Sequence, residues 1–215
     1  MGKQWQRERK KEHFYKMAKN KGYRSRASFK LQQLNNKYDL LRKGNVVVDL
    51  GAAPGGWLQI ALEKVGEKGF VLGVDLEPIK NFSKPNLATI QADIIEPETV
   101  ATIRELLPRK ADVVLSDASP DISGIWNIDQ AKSVDLAQCV LIIASQILKQ
   151  DGKMLIKVFQ GAMFDELLTD IRKNFGFVKV SKPEASRKRS AEVYIIAKEF
   201  RGATQELEKA SINNS

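Results

Sequence analysis

VVVDLGAAPGGW, residues 46–57, decides the fold. Its first five residues, Val46-Val47-Val48-Asp49-Leu50, form an apolar β-branched run entered from the turn-forming Lys43-Gly44-Asn45 and left through Gly51, the pattern of a fully buried strand. From Gly51 to Gly56 the residues are small or turn-forming, so backbone there can approach a ligand closely before a helix begins. Outward from this unit the period switches repeatedly between two and 3.6. A helix from Gly56 to about Val65 is followed by strand GFVLGVD ending at Asp75, strand LATIQAD ending at Asp93, a helix from Pro97 to Leu107 and strand ADVVLSD ending at Asp117. A long helix from about Ile128 to Leu148, strand GKMLIKVF, a helix from Met163 to Asn174, and strands FVKV and EVYIIAKEF complete the series. Upstream, Ala27, Leu31, Leu34, Tyr38 and Leu41 recur at helical spacing, which predicts a helix over Arg26–Leu41 with Lys30 beside its packed face.

Strands alternating with helices of ten or more residues require right-handed crossovers and a mostly parallel sheet covered on both faces. Only KPEASRKRSA separates the last two strands, so they should form a long antiparallel hairpin. The expectation is an α/β fold with a seven-stranded sheet, one strand antiparallel. It occupies a single domain over 23–200, with a basic arm at 1–22 and a flexible tail at 201–215. No repeat or second domain boundary is visible.

A net charge of +9 becomes informative once located: residues 1–30 hold eleven Lys/Arg against two Glu, and the other 185 residues balance. A basic arm on a neutral body suits a polyanion, because each phosphate contact releases counterions. No apolar run approaches the roughly 20 residues of a membrane helix, and the opening residues lack the apolar segment of a secretory leader. The single cysteine, Cys139, excludes internal disulfides and fits a reducing compartment, so the cytoplasm is the default expectation.

In open α/β sheets ligands bind beyond the carboxyl ends of the strands. Those ends carry Asp49, Asp75, Asp93 and Asp117 in succession. Asp75, 24 residues after Gly51, is placed to accept both ribose hydroxyls of a nucleoside, and Asp93 to meet an adenine edge. A dinucleotide site needs a G-x-G-x-x-G turn to cradle a pyrophosphate, and that spacing is absent. The loop, with Gly51, Ala53, Gly55, Gly56 and Trp57 as candidate contacts, suits instead a nucleoside joined to an amino acid.

DLGAAPGGW (49–57), SDASPDISG (116–124) and KVFQG (157–161), preceded by RSRASFKL (24–31) and followed by SRKRSAEVYI (186–195), resemble the FtsJ/RrmJ family of ribose 2′-O-methyltransferases from about Gly22 to Lys198. The resemblance implies the Rossmann-like class I methyltransferase fold and S-adenosylmethionine as cofactor, held at Gly55, Trp57, Asp75, Asp93 and Asp117. It implies a catalytic tetrad that falls on Lys30, Asp117, Lys157 and Glu192. It further implies an RNA substrate: a uridine of large-subunit ribosomal RNA for the bacterial type, tRNA anticodon loops or messenger caps for close relatives. FQGAMFDE and SRKRSAEVYI favour the ribosomal type, while the long basic arm also resembles the tRNA-directed branch.

The residues give Lys157 independent weight. It shares a strand face with Leu155 and Phe159, and a lysine in so apolar a strand demands acidic partners or a functional site. A sulfonium methyl is already a good electrophile, so the enzyme must align the ribose oxygen and deal with its proton. Lys157 suits the role of base or of guide for the oxygen lone pair, Asp117 would orient it, Lys30 would meet phosphate or developing alkoxide, and Glu192 would position Lys30 or the ribose. Asp117-Ala118-Ser119-Pro120 lacks the stacking aromatic typical of base N-methyltransferases. Cys139 lies mid-helix without a basic neighbour, unsuited to cytosine C5 chemistry. One histidine, His13 in the arm, makes a catalytic metal improbable, and none is expected. Lys10, Lys11, Arg24, Arg26, Arg187 and Arg189 flank the tetrad in sequence and are the candidate RNA contacts. A monomer is expected. A non-catalytic RNA-binding module of the same fold is the contrasting reading, disfavoured by the complete tetrad.

Overall fold

The computed structural model describes residues 15–80, 82–187 and 190–203. Seven strands form one sheet: β1 (Val46–Leu50), β2 (Phe70–Asp75), β3 (Leu87–Gln91), β4 (Ala111–Ser116), β5 (Leu148–Phe159), β6 (Phe175–Ser181) and β7 (Glu192–Phe200). They lie in the order β3-β2-β1-β4-β5-β7-β6. All neighbours are parallel except β7, which runs antiparallel to both β5 and β6, so it is the single reversed strand. The strand order reverses between β1 and β4, the switch point at which a ligand site is expected beyond the carboxyl ends of the strands.

The period-two alternation of the strands separates two cores. Val46, Val48, Leu50, Val114, Met154, Ile156, Val158 and Ile195 face three helices, α3 (Pro97–Leu106), α4 (Trp126–Ile147) and α5 (Phe164–Asn174). Val47, Val113, Leu115, Leu155, Tyr194 and Ile196 face α1 (Ala27–Tyr38) and α2 (Gly56–Val65). The β1 run is buried throughout, as its unbroken apolar pattern requires.

Several element ends differ from the sequence reading, three of them as follows. α1 stops at Tyr38 rather than Leu41, because Asp39 turns into the left-handed region and the Asn35 side chain captures the Leu40 and Leu41 amides at 3.1 and 2.7 Å. β3 ends at Gln91, two residues short of Asp93; as an edge strand it loses its ladder once β2 ends at Asp75. β5 begins at Leu148, directly after α4, with an irregular register beside Ala111 and Val113. Most of the basic arm and tail, 1–14 and 204–215, lies outside the described residues. Residues 15–20 are helical, and Ala18 packs with Phe29 of α1 and Ala185 of the β6–β7 connection.

Candidate active site

Two strand ends, a helix and the start of β7 bring four charged side chains together. Lys157 is carried on the α1 side of β5, opposite Tyr194 in the register, and Phe159 lies opposite Glu192. Asp117 follows the last residue of β4, next to β5 in the sheet. Lys30 arrives from α1 across the top. Its Nζ lies 3.2 Å from Glu192 Oε1 and 3.8 Å from Asp117 Oδ1, while Lys157 Nζ lies 3.9 and 3.5 Å from the same two atoms. Lys157 also donates to the Asp117 backbone carbonyl at 2.6 Å. Both lysines are 7% exposed, so two cations and two carboxylates neutralise one another in a nearly dry pocket. Burial pushes the Glu192 carboxyl up, but Lys30 and Lys157 outweigh it and hold the group below the ordinary glutamate range.

Sequence reasoning missed Tyr194. Its ring is fully buried, 6.0 Å from that of Trp57, with Lys30 Nζ 5.5 Å from its centroid. Its hydroxyl donates to Asp117 Oδ1 at 2.6 Å. Burial, then Asp117 and Glu192, push its phenol well above the usual value, so it is a fixed donor that pins Asp117. The signal was present in the period: Tyr194 is two residues from Glu192 and therefore on the same face.

The loop after β1 is held by close approaches. A Cβ on Gly51, at φ +79°, would lie 2.5 Å from Ala118 Cβ, so glycine lets the β1 and β4 loops meet at the switch point. Asp75 accepts from the Ala53 and Glu77 amides at 2.8 and 2.9 Å, which fixes its carboxylate at the crevice edge. Asp93 accepts from the Ile95 amide at 2.9 Å in the turn after β3. Trp57 is 3% exposed and its indole N–H donates to Ala27 O at 2.8 Å, so the side chain braces α2 on α1. Its backbone lies in the first turn of α2, beside Gly56.

Beneath this loop Asp49 is fully buried, and neither carboxylate oxygen has a hydrogen-bond partner. Burial, then the charges of Asp117 and Asp75, hold its carboxyl well above the ordinary range. Carboxylates that repel one another around a small-residue loop repel a pyrophosphate and attract a cation. S-adenosylmethionine, with a sulfonium and an ammonium against one carboxylate, has the charge this donor set favours, and Asp75 offers acceptors for its ribose.

The candidate RNA contacts divide. The Arg24 guanidinium is engaged with Pro54 O at 3.2 Å, Lys80 O at 2.5 Å and the Phe82 ring at 3.5 Å, so it clamps the cofactor loop. Arg26 precedes α1 and is half-buried; Arg187 is exposed on the β6–β7 connection. Lys10, Lys11 and Arg189 lie outside the described residues. Burial, then Asp135 and Asp93, push the Cys139 thiol up, the opposite of an activated nucleophile. Among the described residues no group of three or more His, Cys, Asp or Glu is arranged to hold a metal ion, and no helix is long and apolar enough to cross a membrane.

The model of the FtsJ-like methyltransferases matches residues 23–200. This chain belongs to that family. It is an S-adenosylmethionine-dependent methyltransferase. Among its relatives, the ribosomal RNA large subunit methyltransferase E of Methanothermobacter thermautotrophicus is 53% identical over 202 residues, covering 94% of this chain and 96% of its own. The enzyme of the same name from Methanocaldococcus jannaschii is 51% identical over 209 residues, 96% of this chain and 85% of its own. A crystal structure described as a ribosomal RNA methyltransferase of Plasmodium falciparum superposes with TM-score 0.76 at 30% identity, covering 84% of the methyltransferase and all of that chain. Human methyltransferase-like protein 13, solved with S-adenosylhomocysteine, shares the fold at TM-score 0.53 and 15% identity over 81% of this chain and 85% of its own.

Proposed function

We propose that the enzyme transfers the methyl group of S-adenosylmethionine to the 2′-oxygen of a uridine ribose in large-subunit ribosomal RNA, with Lys30, Asp117, Lys157 and Glu192 as its catalytic residues. The observation that carries this reading is the meeting of those four side chains, each lysine within 4 Å of both carboxylates, at the edge of a crevice suited to a cationic nucleoside. The bound cofactor supplies a carbon already activated for attack. Asp75 would accept from its ribose hydroxyls, and the backbone of Gly51–Trp57 with Asp93 and Asp117 would hold the rest.

Lys157, once its ammonium has released a proton to solvent, would receive the 2′-hydroxyl proton as the new oxygen–carbon bond forms and the sulfur–carbon bond breaks. Asp117 and Glu192 stabilise the ammonium that results, and Tyr194 keeps Asp117 from turning away. Lys30 anchors Glu192 and offers its remaining donors to the phosphate beside the reacting ribose. Arg26, Arg187 and the arm residues Lys10 and Lys11 would follow the RNA backbone, with Arg189 beside them; the packing of Ala18 on Phe29 and Ala185 supports this, because it joins the end of the arm to the β6–β7 connection next to α1. The names of the half-identical, nearly full-length relatives favour ribosomal RNA over a tRNA anticodon loop. We further infer a monomer working in the cytoplasm, and no metal in the chemistry.

The test is methyl transfer to intact large subunits, free ribosomal RNA and tRNA in parallel, followed by alkaline hydrolysis, which a 2′-O-methyl group blocks at one linkage. Transfer to tRNA alone, or a product that remains alkali-labile at the modified nucleotide, would overturn the reading.

A further inference from the structure

The connection from β4 to α4 exposes more large apolar surface than a monomer gains from showing to water. Ile122, Ile125 and Trp126 are 60%, 58% and 48% exposed. They are not on a floppy segment: the Asp129 carboxylate accepts from the Ser123 amide and hydroxyl, both at 2.7 Å, and from the Gly124 amide at 3.1 Å, fixing the loop from within. The Trp126 ring stacks on Phe159, with centroids 6.2 Å apart and planes inclined by 25°. Phe159 is 9% exposed, two residues from Lys157 on the same strand and opposite Glu192 in the register. One ring of this stack is therefore anchored beside the tetrad, and the other shows about half its surface to solvent.

We propose that Trp126, backed by Phe159 and flanked by Ile122 and Ile125, is a stacking platform for an unpaired base of the substrate RNA, next to the ribose that is methylated. The proposal rests on the ribose-methylation reading above and says where that RNA puts a base. Charge decides for a base over a phosphate. The platform carries the exposed Asp121 and no arginine, whereas Arg26 and Arg187 lie with α1 and the β6–β7 connection. A ribose held at Lys157 has its phosphates on one side and its base on the other, and the surface follows the same division: cations on one flank, a rigid aromatic on the other. Continuity with the tetrad decides for RNA over a protein of the particle, since whatever presents the ribose to Lys157 must pass beside Phe159. An aromatic held in place before binding loses little conformational freedom on stacking, and any base can use its face.

The experiment compares wild type with Trp126→Ala and Trp126→Phe at one fixed salt concentration, reading kcat/KM for free large-subunit RNA, cofactor affinity, and tryptophan emission during titration with a single-stranded RNA oligonucleotide. Trp126→Ala should lower kcat/KM about 5- to 150-fold, the range spanned by loss of one base–aromatic stack, with cofactor affinity unchanged. Trp126→Phe should recover most of the rate. Wild-type emission should quench on RNA addition, and in Trp126→Phe, an enzyme that still turns over, only the part owed to Trp5 and Trp57 should remain. If kcat/KM and quenching both ignore residue 126, the platform is wrong while methyl transfer stands. If Trp126→Ala impairs methylation of assembled subunits but not of free RNA, the occupant is a protein and the proposal is overturned. Absence of any RNA methylation by wild type would sink the function itself, and the quench would still decide the platform.

Discussion

Replacing Lys157 by methionine tests the chemistry most directly, because methionine keeps the stem between Leu155 and Tyr194 and removes only the ammonium. That ammonium makes one short contact, 2.6 Å to the Asp117 carbonyl, and two longer ones at 3.5 and 3.9 Å to Asp117 and Glu192. Loss of a positioned proton acceptor costs about 10²- to 10⁴-fold in rate, or about 3–5 kcal/mol of barrier. The fold should suffer less. An orphaned buried charge costs about 3–5 kcal/mol, but neither carboxylate is orphaned here. Asp117 keeps the Tyr194 hydroxyl at 2.6 Å, and Glu192 keeps Lys30 at 3.2 Å. We expect a stability loss of about 1–2 kcal/mol by denaturant titration, far below the orphaned-charge cost. Cofactor affinity by calorimetry should stay within a factor of about three, since no cofactor contact is assigned to Lys157. Single-turnover methyl transfer should fall by the full kinetic factor. Lys157→Arg separates base from guide: guanidinium can steer an oxygen lone pair but does not accept a proton. Turnover within about tenfold of wild type in the methionine protein, with cofactor bound, would refute the assignment; an active arginine protein would refute the proton transfer.

Other outcomes follow from charges elsewhere. Asp112 is 5% exposed at the far end of β4, where Arg109 and Lys149 each lie 2.6 Å from it and the Val46 amide donates at 2.7 Å; burial pushes its carboxyl up, but those bonds outweigh burial and hold it low. Its stabilisation is therefore present above the unfolded aspartate value of about 4 and lost as pH falls through the depressed one, and Asp112→Asn should cost about 1–3 kcal/mol at neutral pH and less in acid. Asp49 has the opposite sign: its raised carboxyl destabilises the cofactor-free fold as pH climbs from about 4, so Asp49→Asn should flatten the decline of melting temperature with rising pH. Gly51→Ala combines a positive φ with a Cβ 2.5 Å from Ala118 Cβ, and cofactor titration should show weakened binding alongside about 1–3 kcal/mol of lost stability. RNA affinity should fall about 100-fold between 50 and 200 mM salt for about five phosphate contacts, and a flat response in filter binding would remove the basic flank from the model of recognition.

The parts of this fold legible in sequence are those where one physical requirement dominates. VVVDL could only be a buried strand, and LIKVF had to bury Lys157 against acidic partners, because neither run offers a polar face. Reading the reversed β7 needed only the short KPEASRKRSA connection. What escaped depended on side chains satisfying one another across the chain. Trp57 reads as a cofactor contact, and sequence does not show that its N–H also finds Ala27, thirty residues earlier. Nor does sequence show that the Arg24 guanidinium reaches Pro54, Lys80 and Phe82. The end of α1 turned on Asn35 capturing two amides, which local propensity does not record.

The site joins two surfaces of opposite electrostatic demand. Its cofactor side gathers Asp49, Asp75 and Asp117, where burial, then the charges of Asp117 and Asp75, push the Asp49 carboxyl well above the ordinary range. Its substrate side must accept phosphates, which such a cluster would repel at the few ångströms that separate adjoining sites. On the proposed reading the tetrad resolves the conflict by standing between them with two cations against two carboxylates. Lys30 turns toward Glu192, 3.2 Å away, and Lys157 toward Asp117, so each carboxylate is neutralised where the reacting ribose must enter. Removing either lysine leaves the acidic crevice facing the RNA. The two lysines thus serve one electrostatic purpose and two chemical ones, and their loss should act more than additively on RNA turnover while leaving cofactor affinity unharmed.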